Sequence, residues 1–169
     1  GGTEDDWVEL YNPFEWDIDL SDWSIQRHSK PKPESEREPG YLPRVYKKNF
    51  SLDDKIPAKG YFLIVRRDAD ELLKKIADTL WTQLQITEGT TLYLVNNQEE
   101  IENDKDTNII DKVGLGKDSF SWEGNPAPVP PEGKSIQRKE LGGDSDNNNN
   151  DFIINNTPTP TNSRGETIF

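Results

Sequence analysis

Oxygen donors crowd one stretch of this chain. Asp144-Ser145-Asp146-Asn147-Asn148-Asn149-Asn150-Asp151 offers carboxylate and amide oxygens at alternate positions. If the loop curls, Asp144, Asp146 and Asn148 can converge on one hard cation, and Asn150 and Asp151 belong to the same candidate set. That is how calcium loops work, and calcium is the cofactor this run suggests. An EF-hand register fails twice: Asn149 stands where Gly is wanted and Asn155 where a bidentate Glu is wanted. Turn-making accounts for the same residues, because Asp and Asn tolerate left-handed backbone and bond local amides.

Aromatic residues form a second candidate. Trp7 and Tyr11 alternate with Val8 and Leu10, and Trp16 follows in a turn-rich link. On an open face they would stack on a sugar ring or plug into a protein partner. They would serve equally as residues covered by another segment, the commoner fate of a tryptophan.

Catalysis finds little support. The single histidine, His28, sits at a strand exit beside a charged loop and is expected to face solvent. A Ser-His-Asp arrangement needs a histidine held by an acid and facing a nucleophile. One histidine and no cysteine exclude a histidine-rich or thiolate metal site and a thiol nucleophile. Carboxylates abound, Asp5, Asp6 and Glu9 among them, and composition alone leaves room for a glycosidase-like pair. Solvated faces explain them more simply.

The elements that must position these groups centre on Asp5 to Arg27. Trp7 to Asn12 and Trp23 to Arg27 are strand-like runs, with Asn12-Pro13 breaking the first. Val8 and Leu10 share one face, Trp23 and Ile25 another, and the two faces are expected to meet in one core. His28 to Gly40 is a Pro-rich loop. Tyr41 to Phe50 reads as an edge strand, with Pro43, Lys47 and Lys48 discouraging further pairing. Ser51 to Lys59 reads as a turn, and Tyr61 to Val65, apolar on both faces, as a central strand covered twice. Leu72, Ile76 and Leu80 recur four apart, which predicts an amphipathic helix over Asp68 to Leu80 with a capping box from Asp68 and Glu71. Thr90 to Val95, Ile109 to Val113 and Lys134 to Lys139 complete the strands. Ser119 to Gly133 should run without regular structure, and the polar chain beyond Leu141 keeps one apolar patch, Phe152 to Ile154.

Across 169 residues, hydrophobic and charged content are each 31% and the net charge is −12. The core must be small for the length, which suits a sandwich with polar loops better than a fully buried parallel sheet. A field of that sign repels phosphate backbones and anionic lipid, so neither a nucleic-acid partner nor membrane insertion is expected. The basic doublets Lys47-Lys48, Arg66-Arg67 and Lys74-Lys75 are too scattered to reverse this. Asn49-Phe50-Ser51 and Asn155-Asn156-Thr157 are formal glycosylation sequons. The Thr-Pro tract from Thr157 to Thr161 reads as an extended exit segment.

Trp7-Val8-Glu9-Leu10-Tyr11-Asn12-Pro13, a spacer, then Asp19-Leu20-Ser21-Asp22-Trp23-Ser24-Ile25-Gln26-Arg27 resembles the opening of the lamin tail domain family in its bacterial form. The likeness continues through Ile56-Pro57-Ala58-Lys59-Gly60-Tyr61-Phe62-Leu63-Ile64, Leu92-Tyr93-Leu94 and Ile110-Asp111-Lys112-Val113-Gly114. It closes with Glu123-Gly124-Asn125-Pro126, Ser135-Ile136-Gln137-Arg138, Asp144-Ser145-Asp146, Asp151-Phe152 and Thr157-Pro158-Thr159-Pro160. The resemblance implies an all-β, immunoglobulin-like β-sandwich, here with one short amphipathic helix inserted and a long irregular C-terminal segment. The domain is expected over 1–141, with 142–169 as a polar extension that packs on it or leaves it. The family usually begins with an apolar strand upstream of a Gly-Thr dipeptide. This chain starts at Gly1-Gly2-Thr3, so that strand is expected to be missing and the chain to be a fragment.

The function so implied is a noncatalytic interaction or tethering module of a bacterial surface or secreted protein, stabilised by calcium, that meets a protein partner or a cell-surface glycan. Two alternatives stand beside it. One is a subunit of a fibre or surface lattice, self-assembling when a second copy fills an open sheet edge. The other is an accessory domain of a secreted hydrolase.

Overall fold

The computed structural model describes residues 5–168 of the chain. The opening Gly1-Gly2-Thr3, on which the expectation of a missing strand rests, lies outside the described residues. The strands run β1 (Trp7–Tyr11), β2 (Ile18–Asp19), β3 (Ser24–His28), β4 (Val45–Asn49), β5 (Lys55–Ile56) and β6 (Tyr61–Arg66). A short helix α1 (Glu71–Ile76) precedes β7 (Thr79–Trp81), β8 (Thr91–Val95), β9 (Ile109–Gly114) and β10 (Ser135–Arg138). A helical turn α2 (Asn148–Asp151) then leads into β11 (Phe152–Asn155).

Two sheets face each other. One has the order β1-β6-β7, the other β4-β3-β8-β9. Leu10 lies opposite Phe62 in the first, and Ile25 lies between Lys48 and Leu94 in the second. Val8, Leu10, Phe62, Ile64 and Trp81 from one sheet meet Trp23, Ile25 and Leu94 from the other, with Leu20, Phe50 and Ile56 closing the layer. The faces of Val8 and Leu10 and of Trp23 and Ile25 do share one core. This is the all-β sandwich that the alternation predicts.

Each sheet is also covered outside, which explains why β6 is apolar on both faces. Leu63 and Val65 pack under Leu73 and Ile76 of α1, with Trp7, Leu80 and Ile168 beside them. On the other sheet Tyr93 and Val95 are capped by Ile101 from the loop after β8. That loop is fastened through the fully buried Gln26. Its Nε2 donates to Glu99 C=O at 2.6 Å, and its Oε1 accepts from Ile101 N–H at 3.1 Å.

The helix is shorter than its periodicity predicts. Asp70, not Asp68, caps it, accepting from Leu72 N–H at 2.8 Å, and Asp68 forms no capping box with Glu71. Leu80 belongs to β7, which pairs in parallel with β6. The four-residue spacing of Leu72, Ile76 and Leu80 spans a helix and a strand, because sheet pairing overrides local periodicity. Leu72 is left 66% exposed.

His28 is likewise not solvent-facing. It is 1% exposed, with its ring edge-on to Tyr93 and Phe120. The loop carrying Phe120 covers the end of β3, which the sequence presents only as a strand exit.

Beyond Leu141 the chain is more ordered than its composition suggests. β10 and β11 form an antiparallel hairpin with Ile136 opposite Ile154, so the 141/142 division falls within it. The last segment straps the outer face of the first sheet: Thr161 N–H donates to Glu9 Oε2 at 2.7 Å, and Asn162 Nδ2 to Ile76 C=O at 2.8 Å.

Candidate functional site

Two regions gather the residues that the sequence singles out. The first is the link between β1 and β2. Asn12, the residue after β1, is fully buried. Its Oδ1 accepts from Phe14 N–H at 2.9 Å, and its Nδ2 reaches the carbonyls of Trp16 at 2.7 Å, Pro57 at 3.0 Å and Ile56 at 3.2 Å. Lys59 N–H donates to Phe14 C=O at 3.1 Å. Asp17 closes the link, accepting from Ala58 N–H at 3.0 Å and pairing with Lys55 at 2.7 Å. These bonds hold its carboxyl below the usual range. The link is thus tied at both ends to the 55–59 turn.

On this anchored link the Phe14 and Trp16 rings stack at 4.9 Å and 15°. They are 46% and 63% exposed. Trp7 and Tyr11 fare differently. Trp7 packs in the outer cluster under α1, and Tyr11 leans on Tyr61 at 5.1 Å. Of the three aromatic candidates, Trp16 alone is exposed. Phe14, its partner, carries no sequence signal beyond lying two residues away.

The second region is where the β10–β11 hairpin docks on β9. Arg138 Nη2 bonds both oxygens of Asp111, at 2.8 and 2.7 Å. Its Nη1 reaches Gly143 C=O at 2.9 Å and, more distantly, Asp144 and Asp151. The guanidinium also lies over the Phe152 ring at 4.8 Å.

The Asp/Asn run curls, but not around Asp144, Asp146 and Asn148. Asp146 takes a left-handed φ of 53° and donates its N–H to Asp144 Oδ1 at 3.1 Å, the turn-making that the residue types allow. Asp151 accepts from Ser145 N–H at 3.0 Å and Ser145 Oγ at 2.6 Å. Asn148 is fully buried, with both ends of its amide on protein partners. Asn150 is exposed.

Asp144 instead joins Asp111 and Glu123, with one oxygen of each within 4.8 Å of the others. Burial first, then the charges of Asp111 and Asp144, push the Glu123 carboxyl up to about 7. Burial also raises Asp111 despite its fork with Arg138. A hard divalent cation suits such a trio, since its charge would offset their repulsion. Spacing could not reveal it, because its members come from β9, the loop after it and the hairpin.

Membership of a family is settled by the extent of the match. The sequence profile of the lamin tail domain family fits residues 1–119. The chain belongs to the lamin tail domain family. No curated protein matches the chain. Lamin tail domains are noncatalytic and immunoglobulin-like as a family, and the immunoglobulin-like form agrees with the two facing sheets. The matched span contains the Phe14–Trp16 link and Asp111, whereas Glu123, Arg138 and Asp144 lie past its end. Among the described residues, no helix of this lamin tail domain is long and apolar enough to cross a membrane.

Proposed function

We propose that this lamin tail domain is an extracellular tethering module of a bacterial surface or secreted protein, and that it makes contact through Phe14 and Trp16. The observation that carries this reading is the stacked, exposed aromatic pair on a link pinned by Asn12, Asp17 and Lys59. A pinned aromatic pair gives contact area with little ordering cost, as binding hot spots do. Calcium at Asp111, Glu123 and Asp144 would stiffen the hairpin, a role for the ion that is structural and not catalytic. The test is sedimentation of the purified domain with bacterial envelope fractions. Retention that falls sharply in Phe14→Ala/Trp16→Ala, with melting temperature unchanged, is the expected result. Equal retention of the double variant would reject the reading.

A second reading, assembly by strand addition, is favoured by β1. It pairs only with β6 and forms an edge of its sheet among the described residues. Concentration-dependent growth of the particle in light scattering, abolished by Glu9→Pro, would support it.

A further inference from the structure

An acid-lined groove begins where the aromatic link ends. Asp17, next in the chain to Trp16, lines it together with Asp19, Leu52, Asp53, Asp54 and Lys55. Leu52 is 85% exposed, so the groove offers apolar surface as well as carboxylates. The lysines nearby are already engaged: Lys55 with Asp17, and Lys59 with Glu15. Among the described residues, Asp19, Asp53 and Asp54 have no salt-bridge partner. Asp19 Oδ1 accepts from Ser21 N–H at 2.8 Å, which holds its carboxyl below the usual range.

We propose that the Phe14–Trp16 pair and this groove take a basic segment of a partner protein, with arginine or lysine side chains set against the Trp16 ring and the unpaired aspartates. The inference rests on the contact reading above and names its occupant. Charge complementarity decides among occupants. The carboxylates of the groove repel phosphates, acidic polysaccharides and acidic peptides. A neutral sugar would use the rings and leave the aspartates uncompensated. A basic segment uses both, with one cation on the Trp16 ring and others farther along on the aspartates, since a tryptophan face attracts cations and carboxylates pair with them. The domain makes the same kind of contact internally, with Arg27 at 4.1 Å and Arg44 at 4.8 Å from the Tyr46 ring centre.

The test uses the whole chain and a fluorescein-labelled Arg-Gly repeat peptide, read by anisotropy. Binding should weaken with salt, fall by about tenfold or more in Trp16→Ala, and fall by a similar factor in Asp53→Asn/Asp54→Asn. Trp16→Leu guards against a folding artefact, and melting curves check every variant. Glu34→Gln/Glu36→Gln removes equal charge from a distant exposed turn and should leave binding unchanged. Peptide binding that ignores Trp16→Ala, or falls as much in the Glu34/Glu36 variant, would overturn the inference. So would absence of peptide binding, or Trp16-dependent binding of an uncharged oligosaccharide in its place. If envelope sedimentation still needs Trp16 while the peptide does not bind, the occupant is wrong and the contact reading stands. If sedimentation ignores Trp16, the contact reading itself fails.

Discussion

Asn148 and Gly114, thirty-four residues apart, are joined as strand neighbours would be. Asn148 Oδ1 accepts from Gly114 N–H at 2.9 Å, and Asn148 Nδ2 donates to Lys112 C=O at 2.9 Å. One side-chain amide thus does at the edge of β9 what a peptide group of a parallel strand would do. Asn148→Ala would strand both backbone groups away from their partner. The expected cost is roughly 2–6 kcal/mol, at about 1–3 kcal/mol for each of the two unsatisfied buried groups. Urea unfolding should show a lower midpoint with an unchanged slope.

Gly114 carries a second constraint. A Cβ there would lie 2.2 Å from Ser121 C=O and 2.9 Å from Ser119 Oγ. The nearest obstacle is backbone that must move, so Gly114→Ala should destabilise by about 1–3 kcal/mol or more. Ile110→Ala, at an exposed position on the same strand, is the control in the same assay.

Stability should depend on pH through two groups that oppose each other. Burial lowers His28 to about 4 from 6.5. Between those values the unfolded chain holds more protons, so stability rises with pH, by about 3 kcal/mol over the whole window. Glu123 is raised from 4.5 to about 7, so between those values the folded chain holds more protons and stability falls with pH. The two slopes oppose each other between about 4.5 and 6.5. His28→Phe should leave a domain whose stability declines with pH there, and Glu123→Gln one whose stability climbs. Unfolding midpoints at several pH values measure both, and parallel profiles for the two variants would refute the assignment.

The residues that alternate were readable in the sequence, and those that act at a distance were not. Val8, Leu10, Ile25 and Phe62 declare their faces through strand period, and their meeting in one core follows. Leu80 misleads because a period of four fits it to a helix, while pairing with Val65 draws it into β7. His28 misleads because what encloses it is Phe120, ninety-two residues on and in a stretch without regular structure. In the candidate cation site Asp144 was legible from the Asp/Asn run. Its companions Asp111 and Glu123 were not, although both lie in segments that carry the family likeness. Local spacing cannot report a trio assembled from three separate elements.

Asp78 ties the C-terminal segment to the first sheet. Its carboxylate accepts from Leu63 N–H at 2.8 Å, Ser163 N–H at 2.9 Å and Ser163 Oγ at 2.6 Å. Hydrogen bonds to a charged group are worth roughly 1.5–3 kcal/mol each, so Asp78→Ala should cost more than Ser163→Ala. Their effects should not add, because both remove the same contact. Hydrogen exchange should speed up at Leu63 and Ser163 in Asp78→Ala, and far less at either position in Ser163→Ala, whose backbone N–H keeps the carboxylate.

Calcium binding is the last expectation, and Arg138 sharpens it. The guanidinium supplies positive charge to Asp111, Asp144 and Asp151. Arg138→Met removes that charge and leaves the carboxylates facing one another, so the variant should unfold at lower temperature. A cation at Asp111, Glu123 and Asp144 would restore what the arginine supplied. Millimolar calcium should therefore raise the melting temperature of the wild-type domain, and raise that of Arg138→Met further. Binding requires Glu123 ionised, so the gain should grow as pH passes about 7, the value to which burial and its neighbours raise that carboxyl. Glu123→Gln/Asp144→Asn should abolish the gain, whereas Asn150→Ala, whose side chain stands outside the trio, should keep it. A melting temperature indifferent to calcium in both wild type and Arg138→Met would leave the acidic trio as a repulsive cluster that Arg138 alone holds together.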